Sequence, residues 1–312
     1  MTCFTYGVDI SKTHLDVFRL PDGVYRRFAY DKVGLKVLVH WLRSTSVERI
    51  VYEPTGRYHR QFERTLSQAG LPLSKINPRQ ARRFAEASGR LAKTDRVDAQ
   101  MLARMGQALE PSLYAPVSLE LEDMRELLAA RRALIKDLTA AKNRAEGLLI
   151  ALLRKQNTAR IKQIEDQMEA IEAELRTRIT ASQTLKARFD ILLSIPGIGE
   201  IAAFCLLIDM PELGTLDNKQ AAALMGVAPM TRESGTRARR ACIKGGRRDL
   251  RHNLYMPALV ACRYNTDFKA MYQRLTAAGK PAKVAITAVM RKLTILANVL
   301  LRKNKKWIDL KA

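Results

Sequence analysis

The sequence has 312 residues, which is enough for about two domains and a substantial core. It has no run of 18 or more apolar residues and no charged leader followed by an apolar stretch, so we expect neither a membrane span nor a secretory signal. The net charge of +23 predicts a polyanionic partner, and nucleic acid is the simplest one; the alternative is a generically basic soluble protein. The cysteines at positions 3, 205, 242 and 262 form no CxxC pair and are typical of reduced thiols in the cytoplasm.

Residues 1–110 are predicted to form an α/β domain. Three strands come first in meander order, then helix, strand, helix, strand and helix, and an added helix begins near residue 94. The predicted strands are 5–11, 14–20, 24–29, 49–53 and 73–76, and the predicted helices are 34–43, 58–69 and one that begins near residue 94. This order is that of ribonuclease-H-like domains, in which the ends of the first and fourth strands lie side by side.

Four carboxylates are expected to converge in this domain. Asp9 ends the first strand and Glu53 ends the fourth, and chemistry in open α/β sheets gathers at the carboxyl ends of strands. Asp95 and Asp98 follow the predicted N-cap Thr94 and share one face of the late helix. All-oxygen clusters suit Mg²⁺ or Mn²⁺, and two such ions about 4 Å apart are a recurrent device for phosphodiester chemistry.

Each of these residues also has a simpler interpretation. The late helix could be an ordinary capped helix with one exposed aspartate. Asp9 could cap a turn, and its GVDIS context is similar to the first phosphate loop of actin-like sugar kinases; Glu53 could be exposed. His14 and His59 could be metal ligands, although an isolated histidine near a strand or a helix is more often structural.

Residues 111–185 are predicted to be helical, with a heptad-like apolar seam interrupted at residues 156–158. The interruption allows either a helical hairpin or one long helix with a break. We predict a coiled coil that acts as a dimerisation segment; the alternative is a two-helix packing unit within one chain. The seam consists of Leu121, Met124, Leu128, Arg131, Ile135, Leu138, Lys142, Ala145, Leu149 and Leu152, and then, in shifted register, Ile161, Ile164, Met168, Ile171 and Leu175.

Residues 186–312 are predicted to be mainly helical. The segment LLSIPGIGEIA resembles a helix-hairpin-helix turn, in which Gly197 and Gly199 would let backbone amides approach a DNA phosphate. The alternative is a glycine turn between two packed helices. Three helices are predicted at 249–262, 266–277 and 283–301, followed by a basic tail.

A strongly basic segment surrounds Ser234. We predict a phosphate-binding loop here, in which glycines keep the backbone accessible. Neighbouring cations could stabilise the alkoxide of Ser234 as a nucleophile, or the serine could simply bind phosphate. The predicted nucleic-acid-binding residues of this segment are Arg232, Gly235, Arg237, Arg239, Arg240, Lys244, Gly245, Gly246, Arg247, Arg248 and Arg251.

Several of these motifs resemble those of a known family. The segments VDISK, YEPTGRYH and AKTDRVDA, and the SG followed by basic residues and GGR, are similar to the motif blocks of the DEDD transposases of insertion sequences. The resemblance runs nearly end to end and implies an N-terminal domain similar to the Holliday-junction resolvase RuvC. It also implies that Asp9, Glu53, Asp95 and Asp98 form the DEDD tetrad and that Ser234 is the nucleophile.

The resemblance carries further implications for mechanism and partners. The serine would attack the DNA backbone and hold it as a 5′-phosphoserine link, while a bridge RNA selects donor and target DNA. The coiled coil would join protomers into a homodimer that assembles to a tetramer on DNA, and the serine and the acids would meet across a subunit boundary. The setting would be the cytoplasm and nucleoid of a prokaryote.

We therefore expect an α/β plus α protein with three segments: a RuvC-like metal-binding domain (1–110), a coiled coil (111–185) and a helical transposase domain with the serine loop (186–312). The expected function is that of a DNA transposase or recombinase assisted by Mg²⁺, with Mn²⁺ as a substitute. The first alternative is a metal-dependent junction nuclease that uses water as nucleophile, and the second is a non-catalytic nucleic-acid-binding protein. An actin-like sugar kinase would need a second phosphate loop, which we do not find.

Overall fold

A computed structural model describes residues 3–56, 58–89, 94–113, 118–234 and 237–307, with only the backbone described for 231–234 and 237–241. The chain forms two compact units, Met1–Val117 and Ser118–Ala312, which we call unit 1 and unit 2. Their common boundary lies near the predicted connection after residue 110. The three predicted segments themselves remain a prediction.

Unit 1 is a mixed α/β domain. Its strands are β1 (Phe4–Ile10), β2 (His14–Leu20), β3 (Tyr25–Ala29), β4 (Val47–Tyr52) and β5 (Leu73–Lys75). Its helices are α1 (Lys32–Arg43), α2 (His59–Gln68), α3 (Pro78–Ala87) and α4 (Asp95–Leu109). The order of elements is the one that the sequence predicted, with boundaries that differ by one or two residues.

The five strands form one mixed sheet in the order β3-β2-β1-β4-β5. β1 pairs antiparallel with β2 and parallel with β4, and β4 pairs parallel with β5. The carboxyl ends of β1 and β4 are therefore adjacent, as the element order predicted.

Strand alternation assigns each residue to one face of this sheet. Tyr6 and Val8 of β1 lie in the core that α1 and α2 cover, together with Tyr52 of β4. Val51 belongs to a separate apolar cluster that includes Leu102 of α4. One face of the sheet is therefore covered by α1 and α2 and the other by α4, with both faces buried.

Two glycines allow α4 to lie directly on the sheet. A Cβ atom built on Gly7 of β1 would be 2.0 Å from the Ala99 carbonyl oxygen and 2.3 Å from the Ala103 nitrogen. A Cβ atom on Gly106 of α4 would be 2.5 Å from Cγ2 of Val51. Both contacts are closer than a side chain permits, so backbone and helix meet there only because the side chains are absent.

Unit 2 is mainly helical and begins with a long helical hairpin. Its arms are α5 (Leu119–Gly147) and α6 (Ala151–Ala181), joined at residues 148–150, whereas the interruption predicted at residues 156–158 lies within α6. The hairpin alternative is thus the one observed, and Arg131 of α5 forms an ion pair of 2.6 Å with Glu172 of α6. At the base of the hairpin, Met124 and Leu175 are buried in the same core as the C-terminal helices.

The C-terminal helices of unit 2 are α7 (Gln183–Leu193), α8 (Glu200–Asp209), α9 (Asn218–Met225), α10 (Arg248–Asn253), α11 (Tyr255–Tyr264), α12 (Thr266–Ala277) and α13 (Ala282–Lys303). The helix predicted at 249–262 is divided at Leu254, and Pro257 lies in the first turn of α11, where a missing backbone N–H is tolerated. α13 is long and apolar enough to cross a membrane, but more than half of its apolar window is buried inside unit 2. It coincides with the helix predicted at 283–301, and its Val289, Leu293 and Ala297 are inaccessible to solvent.

The basic segment around Ser234 differs from the prediction of a loop. It forms a two-stranded antiparallel sheet of β6 (Pro229–Ser234) and β7 (Arg237–Ile243). The clustered arginines suggested an irregular loop, but the backbones of the two segments pair as antiparallel strands.

Candidate active site

The sheet of unit 1 brings two of the four predicted acids to one edge. Asp9 is the penultimate residue of β1, and Glu53 directly follows β4. Asp9 has the same strand phase as Gly7, so it belongs to the face that α4 covers. Glu53 lies one residue beyond the end of β4, beside the end of β1.

The first turn of α4 supplies the other two acids. The hydroxyl of Thr94 accepts a hydrogen bond from the Val97 amide at 3.3 Å, and the Asp98 amide donates to the Thr94 carbonyl at 2.9 Å. The N-cap predicted from the sequence is therefore formed. Asp95 and Asp98 lie at the positive end of the helix dipole, which favours negative charge there.

Asp9 is buried and lies within range of the charges of the other predicted acids. Burial raises the pKa of Asp9 from 3.8 to about 6, and the negative charges of Asp98, Asp95, Asp16 and Glu53 add to this effect in that order. Within the described residues, no three acidic, histidine or cysteine side chains converge closely enough to form a complete metal site. Like charges repel until a cation neutralises them, and the all-carboxylate donor set fits a hard divalent ion.

Asp16 is a fifth carboxylate of this cluster that the sequence analysis missed. It lies opposite Asp9 in the β1–β2 register and is inaccessible to solvent. Its Oδ1 atom accepts hydrogen bonds from the Tyr25 hydroxyl at 2.5 Å and from Arg27 Nε at 2.7 Å. The available signal was the antiparallel meander, which places the polar residue of β2 beside Asp9; the predicted strand positions were sufficient to find it.

The two histidines considered as ligands have other contacts. His14 Nδ1 lies 2.6 Å from the hydroxyl of Thr13. His59 Nε2 lies 3.7 Å from Oε1 of Glu63, a buried carboxylate that also contacts Lys75 Nζ at 2.7 Å. Burial lowers the pKa of His59, with the Lys75 charge as the second cause, so the structural interpretation fits both residues better.

Ser234 is the last residue of β6, and its backbone pairs with Arg237 of β7. Arg232 pairs with Arg239, which places two of the predicted phosphate-binding positions side by side on neighbouring strands. Arg240 lies further along β7, and Gly235, between the strands, is outside the described residues. Lys244, which follows β7, is exposed.

At the base of the β-hairpin formed by β6 and β7, which we call the serine hairpin, the backbones of two glycines are in contact. Gly226 and Gly246 both have positive φ, and a Cβ on Gly246 would be 2.3 Å from the Gly226 nitrogen. Arg251 Nη1 donates to the carbonyls of Gly226 and Gly245 at 3.2 and 2.9 Å. Gly246 is therefore required by close packing, whereas a Cβ on Gly245 would meet no atom within 4 Å, although its φ of +77° still favours glycine.

Arg247 and Arg248 are neighbours with different surroundings. Arg247 donates two hydrogen bonds to the carboxylate of Glu212, at 2.9 and 2.7 Å, and one to the Asp209 carbonyl at 2.5 Å. Arg248 is exposed and, in the described part of the chain, makes no ion pair or hydrogen bond. Arg248 is thus free to meet a phosphate, while Arg247 is already bound within the protein.

The predicted helix-hairpin-helix turn lies between α7 and α8. A Cβ on Gly197, whose φ is +100°, would be 2.7 Å from the Pro257 carbonyl and 3.0 Å from the Ala261 nitrogen of α11. Gly199 is exposed at the N-cap of α8, with no neighbouring atom within 4 Å of a built Cβ. Gly197 therefore has a packing role, and Gly199 is the glycine whose backbone is open to a ligand.

Comparisons with known proteins agree with these features. A family model for DEDD transposases of the IS110 type, described as Transposase, matches residues 6–153, and a second, described as Transposase IS116/IS110/IS902 family, matches residues 189–273. The chain is 27% identical over 312 residues to the pilin gene-inverting proteins of Moraxella bovis and Moraxella lacunata, with 96% of each chain covered. It is 25% identical over 270 residues to the transposase for insertion sequence element IS1111A of Coxiella burnetii, which covers 74% of this chain and 70% of the relative. The chain belongs to the IS110 family of transposases and is a DNA transposase.

Proposed function

We propose that this transposase cuts and rejoins DNA strands through a covalent link to Ser234, assisted by Mg²⁺ at Asp9, Glu53, Asp95 and Asp98. The main support is the placement of Asp9 and Glu53 at one edge of the sheet on which α4 packs. The charges of Asp98, Asp95 and Glu53 add to burial, which is the main cause of the raised pKa of Asp9. Mg²⁺, or Mn²⁺ in its place, would neutralise these acids and polarise a phosphate oxygen when bound. This N-terminal domain would then be RuvC-like.

The Ser234 hydroxyl oxygen forms a bond to the phosphorus of the scissile phosphodiester, and its proton passes to solvent or to a nearby base. The bond from phosphorus to the 3′ oxygen breaks, the 3′ oxygen takes up a proton from solvent to become a 3′ hydroxyl, and a 5′-phosphoserine remains. Attack by a different 3′ hydroxyl reverses these steps and rejoins the strand. The arginines of the hairpin would stabilise the charge on the phosphate.

The relatives favour rejoining over simple cleavage. Inverting a gene, as the name of the Moraxella relatives states, needs strands that are both cut and rejoined. DNA is the substrate that the family implies, and we propose donor and target DNA selected by a bridge RNA. The net charge of +23 is consistent with both nucleic acids. We further propose a homodimer, assembling to a tetramer on DNA, in the cytoplasm of a prokaryote and associated with its nucleoid.

The test begins with the nucleic acid that co-purifies with the protein, because its sequence defines both the RNA and the DNA substrate. A nicked suicide substrate of that sequence is expected to form a protein–DNA adduct on denaturing gels with Mg²⁺. Ser234→Ala is expected to abolish the adduct, and Thr231→Ala, on the same strand, to retain it. Metal-dependent cleavage that survives Ser234→Ala would instead support a nuclease that uses water.

A further inference from the structure

The four acids of the proposed metal site do not by themselves explain why the Asp16 carboxylate is buried beside Asp9. It is a fully buried carboxylate, and both of its described donors, the Tyr25 hydroxyl and Arg27 Nε, reach the same oxygen, Oδ1. Oδ2 has no hydrogen-bond partner among the described residues. A buried carboxylate is costly unless it is hydrogen-bonded, so the donors to Oδ1 offset part of this cost and Oδ2 leaves the rest uncompensated.

Arg27 connects this buried acid to the tetrad. Its Nε donates to Asp16 at 2.7 Å, and its Nη2 donates to Oδ2 of Asp95 at 3.0 Å. Such a bridge needs the planar, rigid guanidinium, because donors on different atoms are aimed at two separate acceptors. The Asp95 side chain is 56% exposed, and an exposed ion pair is normally weak because both side chains must be ordered. Here Asp16 has already ordered the arginine.

A second contact reaches the same turn of α4. The guanidinium of Arg96 lies 5.2 Å from the ring centroid of Tyr25, whose hydroxyl binds Asp16. The β2–β3 register aligns Asp16 with Arg27, and Tyr25 has the same strand phase as Arg27. Asp16, Tyr25 and Arg27 therefore all lie on the face of the sheet that α4 covers. The start of α4 is therefore linked to the sheet through Arg27 and Tyr25, which both bind Oδ1 of Asp16.

We propose that Asp16, Tyr25 and Arg27 form a positioning relay that fixes the Asp95 carboxylate and the first turn of α4 for cation binding. The inference rests on the proposed metal-binding role of Asp95. The three relay residues are positioning residues, since none is assigned a contact with metal or DNA. Partners that orient metal ligands in this way commonly contribute about 10- to 100-fold to metal affinity.

The variants separate geometry from charge. Arg27→Lys keeps the positive charge but removes the two-way bridge, while Arg27→Met removes both. Arg26→Lys is the matched control, because Arg26 directly precedes Arg27 in β3 but belongs to the opposite face of the sheet. Its guanidinium lies 5.2 Å from the Trp41 ring on that face. Asp16→Asn keeps an acceptor oxygen for both donors and removes the buried charge.

The first measurement is Mn²⁺ affinity by calorimetry or by electron paramagnetic resonance of the free ion. Arg27→Lys and Arg27→Met are both expected to weaken Mn²⁺ binding about tenfold, Asp16→Asn by less, and Arg26→Lys not at all. If Arg27 acted only as a charge that competes with the cation, Arg27→Met would bind Mn²⁺ more tightly than the wild type. That result would overturn the relay.

The second measurement needs no metal and no activity. Amide hydrogen exchange across the first turn of α4 in the metal-free protein is expected to be about two- to fivefold faster in Arg27→Lys and unchanged in Arg26→Lys. Unchanged exchange in Arg27→Lys would overturn the relay whatever the metal data show. A wild-type protein that binds no Mn²⁺ would refute the proposed metal centre, and the exchange data would still decide whether the relay positions α4.

Discussion

The acidic cluster of unit 1 and the serine hairpin of unit 2 are built in different ways. The acids extend from a five-stranded sheet that is buried on both faces, with α4 held against Gly7. Ser234 ends one strand of a two-stranded sheet, an arrangement that is only marginally stable in water by itself. The acids are therefore positioned by the core of their own unit, whereas the serine depends on the anchors at the hairpin base.

The two sites have opposite charges but the same electrostatic problem. Asp9, with its raised pKa, is surrounded by acids, and the hairpin sequence carries closely spaced arginines. Each set repels itself until a ligand of opposite charge is present. The comparison suggests that unit 1 is completed by a cation and the hairpin by phosphate. We expect each site to gain stability from its own ligand.

Asp9→Asn tests the acidic side of this comparison and should have the largest effect. We expect strand cleavage to fall by about a hundredfold or more, because a metal contributes several kcal/mol to such chemistry and each 1.4 kcal/mol is a factor of ten. The metal-free variant should nevertheless unfold at a higher temperature than the wild type, since one repelling charge is gone. Calorimetry and the adduct assay check the two outcomes; a lower unfolding temperature would contradict the cluster.

The pH dependence of the stability difference between the wild type and Asp9→Asn follows from the direction in which the pKa of Asp9 is shifted. The pKa of Asp9 is raised from 3.8 to about 6 in the folded state, so folding favours the protonated form. The stability that Asp9 contributes is complete below about 3.8 and is lost as pH rises through about 6. The advantage of metal-free Asp9→Asn over the wild type should therefore be larger at pH 7 than at pH 4. A constant difference would show that Asp9 is not perturbed.

Gly7→Ala tests whether close helix packing positions the acids. The added Cβ would overlap backbone atoms of Ala99 and Ala103, which cannot move without displacing α4. We expect a loss of about 1–3 kcal/mol in the free energy of unfolding and a loss of cleavage, since Asp95 and Asp98 move with the helix. Gly147→Ala is the control, because a Cβ there meets no atom within 4 Å. Retained wild-type stability in Gly7→Ala would refute this account of the packing.

The positions of the acids in the fold could be predicted from the sequence because each follows from a local rule. Asp9 and Glu53 end strands, and Asp95 and Asp98 begin a helix capped by Thr94. That these four acids hold a metal stays a prediction. The element order did not identify Asp16, whose role comes from its register opposite Asp9. Gly7 was missed for the same reason, since its importance depends on which helix crosses it.

The contacts of the basic residues around the serine hairpin could not be predicted from the sequence, because identical residues there have different surroundings. Arg247 and Arg248 are adjacent and identical in the sequence, yet one is bound to Glu212 and the other is exposed. Only the fold specifies that Glu212, 35 residues earlier, lies beside Arg247. The packing role of Gly197 could not be predicted for the same reason, because its neighbour Pro257 belongs to α11, which is distant in sequence.

Arg248→Ala and Arg247→Lys sharpen the basic side of the comparison. Arg248→Ala is expected to reduce the log–log salt slope of DNA binding by about 0.9, the amount expected for one phosphate contact, with unchanged unfolding temperature. Arg247→Lys is expected to leave the salt slope unchanged and to lower stability by roughly 0.2–1 kcal/mol, because it loses the two-pronged contact with the half-exposed Glu212. Binding titrations at several salt concentrations distinguish the two. The reverse pattern would assign Arg247 to phosphate binding.

The tip of the α5–α6 hairpin offers the smallest expected effect, on dimerisation. Leu149, Ile150 and Leu152 are 83%, 63% and 63% exposed, so apolar side chains surround the turn while the base of the hairpin is buried. If the tip contributes to the proposed homodimer, Leu152→Ser should weaken dimerisation about threefold to fivefold, because most interface residues cost less than about 1 kcal/mol when truncated. Its unfolding free energy at monomer concentrations should change by less than about 0.5 kcal/mol. Ile164→Ser, at a buried position of the seam, should instead destabilise the fold. Dimer affinity is measured by sedimentation equilibrium, and equal affinities for Leu152→Ser and the wild type would exclude Leu152 from the interface.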